Sequence, residues 1–252
     1  MNAAKVLAII PARGGSKSIP RKNIRGFAGY PLIAYSISAG LSADTISRVI
    51  VSTDDEEIAA ISREYGAEVP FIRPENFSRD DTPDLPVFQH ALDWLKSNDD
   101  YQPEIIVQLR PTSPLRRTEH INLAVLGLLE HPDADSIRTV CTPFQNPYKM
   151  WRIDSHGFMQ PIIAGNMAES YNLPRQALPE VYWQTGYVDA AWIDTILEKN
   201  SMTGENILPL VIGAEDWIDI DSPDDWRRAE RLLESGEIIL GDLGFEITKK
   251  TL

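Results

Sequence analysis

Short apolar runs alternate with helical patterns along the first two-thirds of this chain. That alternation leaves few architectures open. Residues 5–10, KVLAII, form an apolar run closed by Pro11. A run with no polar alternation reads as a strand buried on both faces. Pro31 then opens a helical pattern, with Leu32, Ile33, Ile37 and Leu41 on one side and Gly40 near its end. A second strand is predicted at 48–52. A helix follows, capped by Thr53 and Asp54 and carrying Ile58, Ile61 and Tyr65 on a shared face, with Gly66 as its stop. Further strands are predicted at 67–72, 104–109 and 136–141, and helices over Val87–Leu95 and about 118–130. Repeated βαβ units imply an α/β fold with a mostly parallel sheet.

The pattern breaks over 142–182. Pro143, Pro147, Pro161, Pro174 and Pro179 punctuate that stretch, which also carries Tyr148, Met150, Trp151 and Phe158. It holds too many large apolar residues for a linker. It reads as an insertion with a hairpin, packed on the core or on a second subunit. Strand signals return at 187–193, 208–212 and 217–220. Ser222, Pro223 and Asp225 then mark a helix start with a capping box. The whole chain, 1–252, is expected to form one domain with 142–182 inserted in it.

Charge partition is the next constraint. The chain is acidic overall, with net charge −13, which argues against nucleic acid or an anionic membrane as partner. Residues 1–43, however, contain Lys5, Arg13, Lys17, Arg21, Lys22 and Arg25 and no acidic residue. Most of these cluster in the loop after the first strand, at the carboxyl end where α/β sheets bind ligands. Gly14 and Gly15 let the backbone approach an anion there, with Ser16 and Asn23 as further donors. The loop is neither a Walker A sequence nor GxGxxG, which argues against an ATPase motor or an NAD-dependent dehydrogenase. A compact polyanion such as a nucleoside triphosphate fits it.

Three other places carry candidate chemistry. Asp219 and Asp221, two apart on an expected strand, would present both carboxylates from one face, a pairing that suits Mg²⁺ shared with substrate phosphates. The loop from Arg110 through Pro111, Thr112 and Ser113 to Arg117 follows the strongest strand and would bring hydroxyls to the same ligand. Arg175 and Gln176 lie in the insertion. Histidines 90, 120, 131 and 156 are scattered without metal-ligand spacing. The single cysteine, Cys141, permits no intrachain disulfide, reads as buried, and points to a reducing, cytoplasmic setting. VLAII is too short for a signal-peptide core, and no segment approaches the ~18 apolar residues of a membrane span.

Taken in order, Ile10 through Ile24, Val51 through Asp55, Arg73-Pro-Glu, Asp81-Thr82, Pro111 through Arg116, Pro174 through Gln176, and Asp219-Ile-Asp221 resemble the landmarks of the acylneuraminate cytidylyltransferases, or CMP-sialic acid synthetases. The resemblance spans nearly the whole chain. It implies a three-layer, Rossmann-like (GT-A-like) nucleotidyltransferase fold with a dimerisation arm at 142–182, usually in a homodimer. It implies that CTP and a nine-carbon 2-keto acid sugar, of sialic, legionaminic or pseudaminic type, give a CMP-sugar and pyrophosphate. Arg13 and Lys22 would bind the triphosphate and stabilise pyrophosphate. Gly14, Gly15, Ser16, Lys17, Asn23, Arg73, Asp81, Thr82, Pro111 and Thr112 would surround the nucleotide. Asp219 and Asp221 would hold Mg²⁺, and Arg110, Arg175, Gln176, Gln184 and Thr185 would face the sugar. Two positions depart from the pattern: Arg110 stands where sialic acid users have Gln, and Thr185-Gly186 where they have Asn-Gly. An Arg at 110 adds charge and removes an acceptor, which keeps a sugar 1-phosphate open as the acceptor. A non-catalytic nucleotide-binding module is the alternative from another class.

Overall fold

The computed structural model describes residues 4–164 and 167–249. The strands are β1 (Val6–Pro11), β2 (Gly26–Phe27), β3 (Tyr30–Pro31), β4 (Arg48–Ser52), β5 (Ile105–Gln108), β6 (Ser136–Cys141), β7 (Trp151–Ile153), β8 (Met159–Pro161), β9 (Trp183–Trp192) and β10 (Ile207–Val211). The helices are α1 (Leu32–Ser42), α2 (Glu56–Glu64), α3 (Asp84–Asp99), α4 (Thr118–Glu130), α5 (Ile193–Leu197) and α6 (Pro223–Glu234). A central sheet of six strands runs in the order β10-β6-β9-β5-β1-β4. β1 is parallel to β4 and β5, and β10 to β6, whereas β9 is antiparallel to both its neighbours. β2 pairs with β3, and β7 with β8, as small antiparallel hairpins.

The predicted burial of β1 on both faces holds, and it explains the layering. Val6, Ala8 and Ile10 pack into one cluster with residues of α1, α2, α4 and α6. Leu7 and Ile9, pointing the other way, pack into a second with Val87, Phe88 and Leu95 of α3 and Ile196 of α5. The result is three layers, helices on both faces of a mostly parallel sheet. Cys141 is buried, as expected.

Several local readings differ from the structure. Residues 67–72 form no strand; only Glu68 and Ile72 make isolated bridges, to Ile50 and Thr53. Pro70 between them has no N–H to donate to a ladder. The cap of α2 is Asp55, whose carboxylate accepts from the Ile58 amide at 2.9 Å, rather than Thr53 or Asp54. Residues 217–220 form no strand and lie outside the sheet; the Ile220 amide donates to the Thr112 carbonyl at 2.8 Å. The capping box at Ser222 and Asp225 forms as predicted. β9 begins at Trp183, earlier than its apolar run suggests. Its register against β6 shifts between Arg138 and Val140, so residues 185–188 bulge opposite Thr139.

Candidate active site

The carboxyl ends of β1 and β5 open onto a cavity of about 460 Å³. It is lined from the first loop by Arg13, Ser16, Lys17, Ser18, Lys22 and Asn23, and from the segment before α3 by Arg73, Phe77, Arg79, Asp80 and Thr82. Asp84, Val87, Arg110, Pro111, Thr112 and Asp221 complete it. The loop after the first strand, the loop after the central strand and Asp221 thus meet in one place, whereas Asp219 is not among the lining residues.

Most of the cations there have a specific hold. Arg13 donates to Asp80 at 2.6 Å, and Lys17 pairs with the other oxygen of the same carboxylate. Asn23 donates its amide to the Arg13 carbonyl at 2.9 Å and fixes the turn of the loop. Lys22, mostly buried, donates to the Ile220 carbonyl at 2.9 Å and lies 3.1 Å from Asp221. Arg73 is almost fully buried; burial lowers its pKa from the ordinary value, and Asp54, 3.8 Å away, opposes that.

Asp219 is half-buried, and its pKa is pushed up to about 6. Burial is the main cause and the neighbouring Asp221 carboxylate adds to it, while a hydrogen bond from Thr112 and the charge of Lys22 work the other way. The Asp221 carboxylate is near enough to raise the Asp219 pKa, and such a pair fits a divalent cation. No cluster of three or more His, Cys, Asp or Glu suited to a metal occurs among the described residues. A cation held here would therefore complete its shell with water and substrate oxygens, the habit of Mg²⁺ rather than of a closed protein cage.

Arg110 stretches between two carboxylates, 2.6 Å from Asp84 and 3.3 Å from Asp189. Burial works against its charge, yet the two acids outweigh that and hold its pKa above the ordinary value. Asp189 also forms an ion pair with Arg138 at 2.5 Å. Gly186 makes room for this arrangement: it adopts φ +65°, and a Cβ there would come 2.4 Å from Arg110 Nη1.

Other expected site residues lie elsewhere. Gly14 and Gly15 do not line the cavity: the Gly14 amide donates to Asp54 at 2.9 Å, and Gly14 is needed because a Cβ would come 2.8 Å from Asp55. Arg21, counted above among the loop's cations, is turned to Asp55 and Glu57 on α2. Asp81 gives way to its neighbour Asp80 as the lining carboxylate. Ser113 is buried outside the cavity, although Thr112 lines it. Thr185 is buried in the β9 bulge, 2.8 Å from Thr139 Oγ1, so its hydroxyl knits two strands. Gln184 is exposed at the start of β9. Arg175 donates to the Pro143 carbonyl at 3.1 Å and, with Gln176, lines a separate cavity of about 400 Å³ at the base of the arm. Sequence reasoning passed over Asp80, Asp84 and Arg79. Asp84 begins a helix at the carboxyl end of the sheet, and that position was the available signal.

With this geometry in view, comparison with known proteins is decisive. Residues 7–153 match the family described as Cytidylyltransferase. The chain belongs to the cytidylyltransferase family. Within this family it is 32% identical over 231 residues to CMP-N,N'-diacetyllegionaminic acid synthase of Legionella pneumophila, covering 91% of this chain and 97% of that relative. It is 46% identical over 111 residues to pseudaminic acid cytidylyltransferase of Campylobacter jejuni, covering 44% of this chain and 47% of the other. The solved structure of CMP:2-keto-3-deoxy-manno-octonic acid synthetase complexed with CTP shares the fold, with a TM-score of 0.69 at 16% identity over 92% of this chain and 100% of that one. The likeness to acylneuraminate cytidylyltransferases drawn from the motifs therefore holds, and this cytidylyltransferase is a nucleotidyl-transferring enzyme.

Proposed function

We propose that this cytidylyltransferase transfers CMP from CTP to the anomeric hydroxyl of a nine-carbon 2-keto acid sugar of the sialic, legionaminic or pseudaminic class, releasing pyrophosphate. The observation that carries the reading is the meeting of Arg13, Lys17 and Lys22 with Asp221 around one cavity, with Asp219 next to Asp221 just outside its lining. Relatives matched over most of the chain support it, since a CMP-legionaminic acid synthase is among them.

Phosphoryl-type transfer asks a protein for position and charge neutralisation more than for covalent chemistry. Arg13 and Lys17 take the triphosphate when it displaces Asp80. Lys22, braced by the Ile220 carbonyl, neutralises charge that develops on the departing pyrophosphate. Asp219 and Asp221 would hold Mg²⁺, which supplies charge stabilisation at the phosphates and lowers the pKa of a bound hydroxyl. Arg175 and Gln176 lie outside the cavity of their own chain. In a homodimer the arm would carry them to the partner's site. The single, buried Cys141 supports a cytoplasmic setting, because no disulfide is asked of this fold.

A sugar 1-phosphate as acceptor would need surplus positive charge near Arg110. Asp84 and Asp189 already balance Arg110 and Arg138, which counts against that reading. The test is pyrophosphate release with Mg²⁺, crossing four nucleoside triphosphates with 2-keto acid sugars and sugar 1-phosphates. Turnover is expected with CTP and an acid sugar. Turnover confined to sugar 1-phosphates would overturn the assignment, and nucleotide binding without turnover of any pair would leave a binding module.

A further inference from the structure

Asp84 is the one carboxylate of the cavity that is neither part of the aspartate pair nor bound to the first loop. It begins α3 and accepts from Gln108 at 2.9 Å and from Arg110 at 2.6 Å. Both contacts fall on Oδ2. Among the described residues no hydrogen bond reaches Oδ1, although the side chain is 39% exposed at the cavity wall. Burial opposes its charge, but Arg110 and Gln108 outweigh this and hold its pKa below the ordinary carboxylate value. It is therefore a fixed, ionised acceptor in a cavity otherwise rich in cations.

Its place in the cavity narrows what it can meet. Arg13 and Lys17 gather at the end of β1, around Asp80. Arg110, following β5, leans the other way, toward Asp189 on β9, and feels the charge of Asp219. Asp84 also acts on Arg73, so the pair of Asp84 and Arg110 stands between the cations of the cavity and the aspartate pair, beside which the attacking hydroxyl would enter.

We propose that Asp84 recognises the acceptor, its free oxygen taking a hydrogen bond from a hydroxyl or amide N–H of the acid sugar. This rests on the cytidylyltransferase reading. An ionised carboxylate repels the sugar's own carboxylate and attracts its donor-rich, uncharged part, so Asp84 also sets the direction in which the sugar lies. Arg110 is then a positioning residue, holding Oδ2 so that Oδ1 faces the substrate.

The experiment is steady-state kinetics of Asp84→Asn and Asp84→Ala with Mg²⁺, varying acid sugar at saturating CTP and then CTP at saturating sugar. Calorimetric binding of CTP to each variant reports folding and nucleotide affinity separately. Both variants are expected to raise the KM for acid sugar about tenfold or more, with the KM for CTP changed by about twofold at most. A shift in the KM and affinity for CTP with the sugar KM unmoved would make Asp84 a nucleotide contact and overturn the proposal. Two folded variants with both KM values unchanged would overturn it as well. A wild-type chain that turns over no acid sugar would remove the cytidylyltransferase reading and this inference with it. Turnover by wild type, with the sugar KM unmoved in Asp84→Asn, would remove the inference alone.

Discussion

Asp80 occupies ground that a phosphate would claim. It is an exposed carboxylate held by Lys17 and Arg13, which together keep its pKa below the ordinary value. On the proposed reading, nucleotide binding would exchange this internal anion for an external one. Asp80→Asn removes the competitor while nearly keeping its shape, so the KM for CTP is expected to fall severalfold, on the order of the modest worth of exposed ion pairs. A raised KM in initial-rate measurements would show instead that Asp80 organises the loop. Asp219 offers the complementary case. Its folded pKa of about 6 lies above the ordinary carboxylate value. The native state therefore binds the extra proton, and folding is penalised once pH rises through 6. Without metal, Asp219→Asn is expected to raise stability on the order of 1 kcal/mol above pH 7. The gain fades as pH falls toward 4, because both forms are then neutral. If Asp219 holds Mg²⁺ as proposed, the same variant is expected to lose turnover. Melting curves across that pH range check the sign, and a variant less stable than wild type at pH 8 would contradict it.

At the scale of elements, one buried cation ties the central loop to the sheet. Arg116 is fully buried, and it donates to the Tyr187 carbonyl at 2.5 Å, to Ser36 at 3.0 Å and to the Arg110 carbonyl at 2.9 Å. Burial lowers its pKa to about 10, so it stays charged at neutral pH. By these bonds it fixes the backbone of Arg110 and of the β9 bulge together. Arg116→Met removes all three bonds, leaving the Arg110 carbonyl only its bonds from Ser36 and Ser113, and is expected to cost about 2–4 kcal/mol. That corresponds to a fall in Tm of roughly 5–15 °C for a chain of this size. An unchanged Tm would mean that desolvating the charge cancels its bonds. The basic first loop and the landmark Pro-Thr-Ser-Pro motif were visible in the sequence, but this bracing was not. Apolar runs reveal strands because burial on both faces leaves a local pattern, and β1, β4 and β6 follow their runs closely. Partners distant in sequence leave no such trace. Lys22 and Asp221 are 199 residues apart, and Arg116 and Tyr187 are 71 apart. The aspartates' strand was misread for a related reason: alternation at 217–221 reports one buried face, with Ile218 and Ile220 inside, and is silent on whether a ladder exists. Thr185 looked like a sugar contact by its neighbours in sequence, yet the bulge that turns it inward is a property of pairing between β6 and β9.

For the whole molecule, the unbalanced feature is the arm. Its hairpin of β7 and β8 has three residues per strand, too little to stand alone in water. Phe144, Ile153, Phe158, Met159 and Ile162 are all exposed on it, and Tyr182 and Trp183 continue the apolar surface into β9. Exposed apolar side chains gathered in one segment mark an interaction surface. The proposed homodimer would cover it, and would bring Arg175 and Gln176 out of isolation from the main cavity. Replacing Ile153 and Phe158 together with Asp puts two charges on that surface while leaving both three-layer clusters untouched. In sedimentation equilibrium the wild-type chain is expected to run at twice the chain mass and the double variant at the single mass, with far-UV spectra alike. If the arm also completes the site, the separated chains are expected to keep CTP affinity but lose turnover with the acid sugar, because the cavity proposed for the nucleotide is lined without Arg175 and Gln176. A wild-type chain of single mass at micromolar concentration would refute the dimer. A monomeric variant with full turnover would show that association serves only to cover apolar surface, and that Arg175 and Gln176 take no part in binding the sugar.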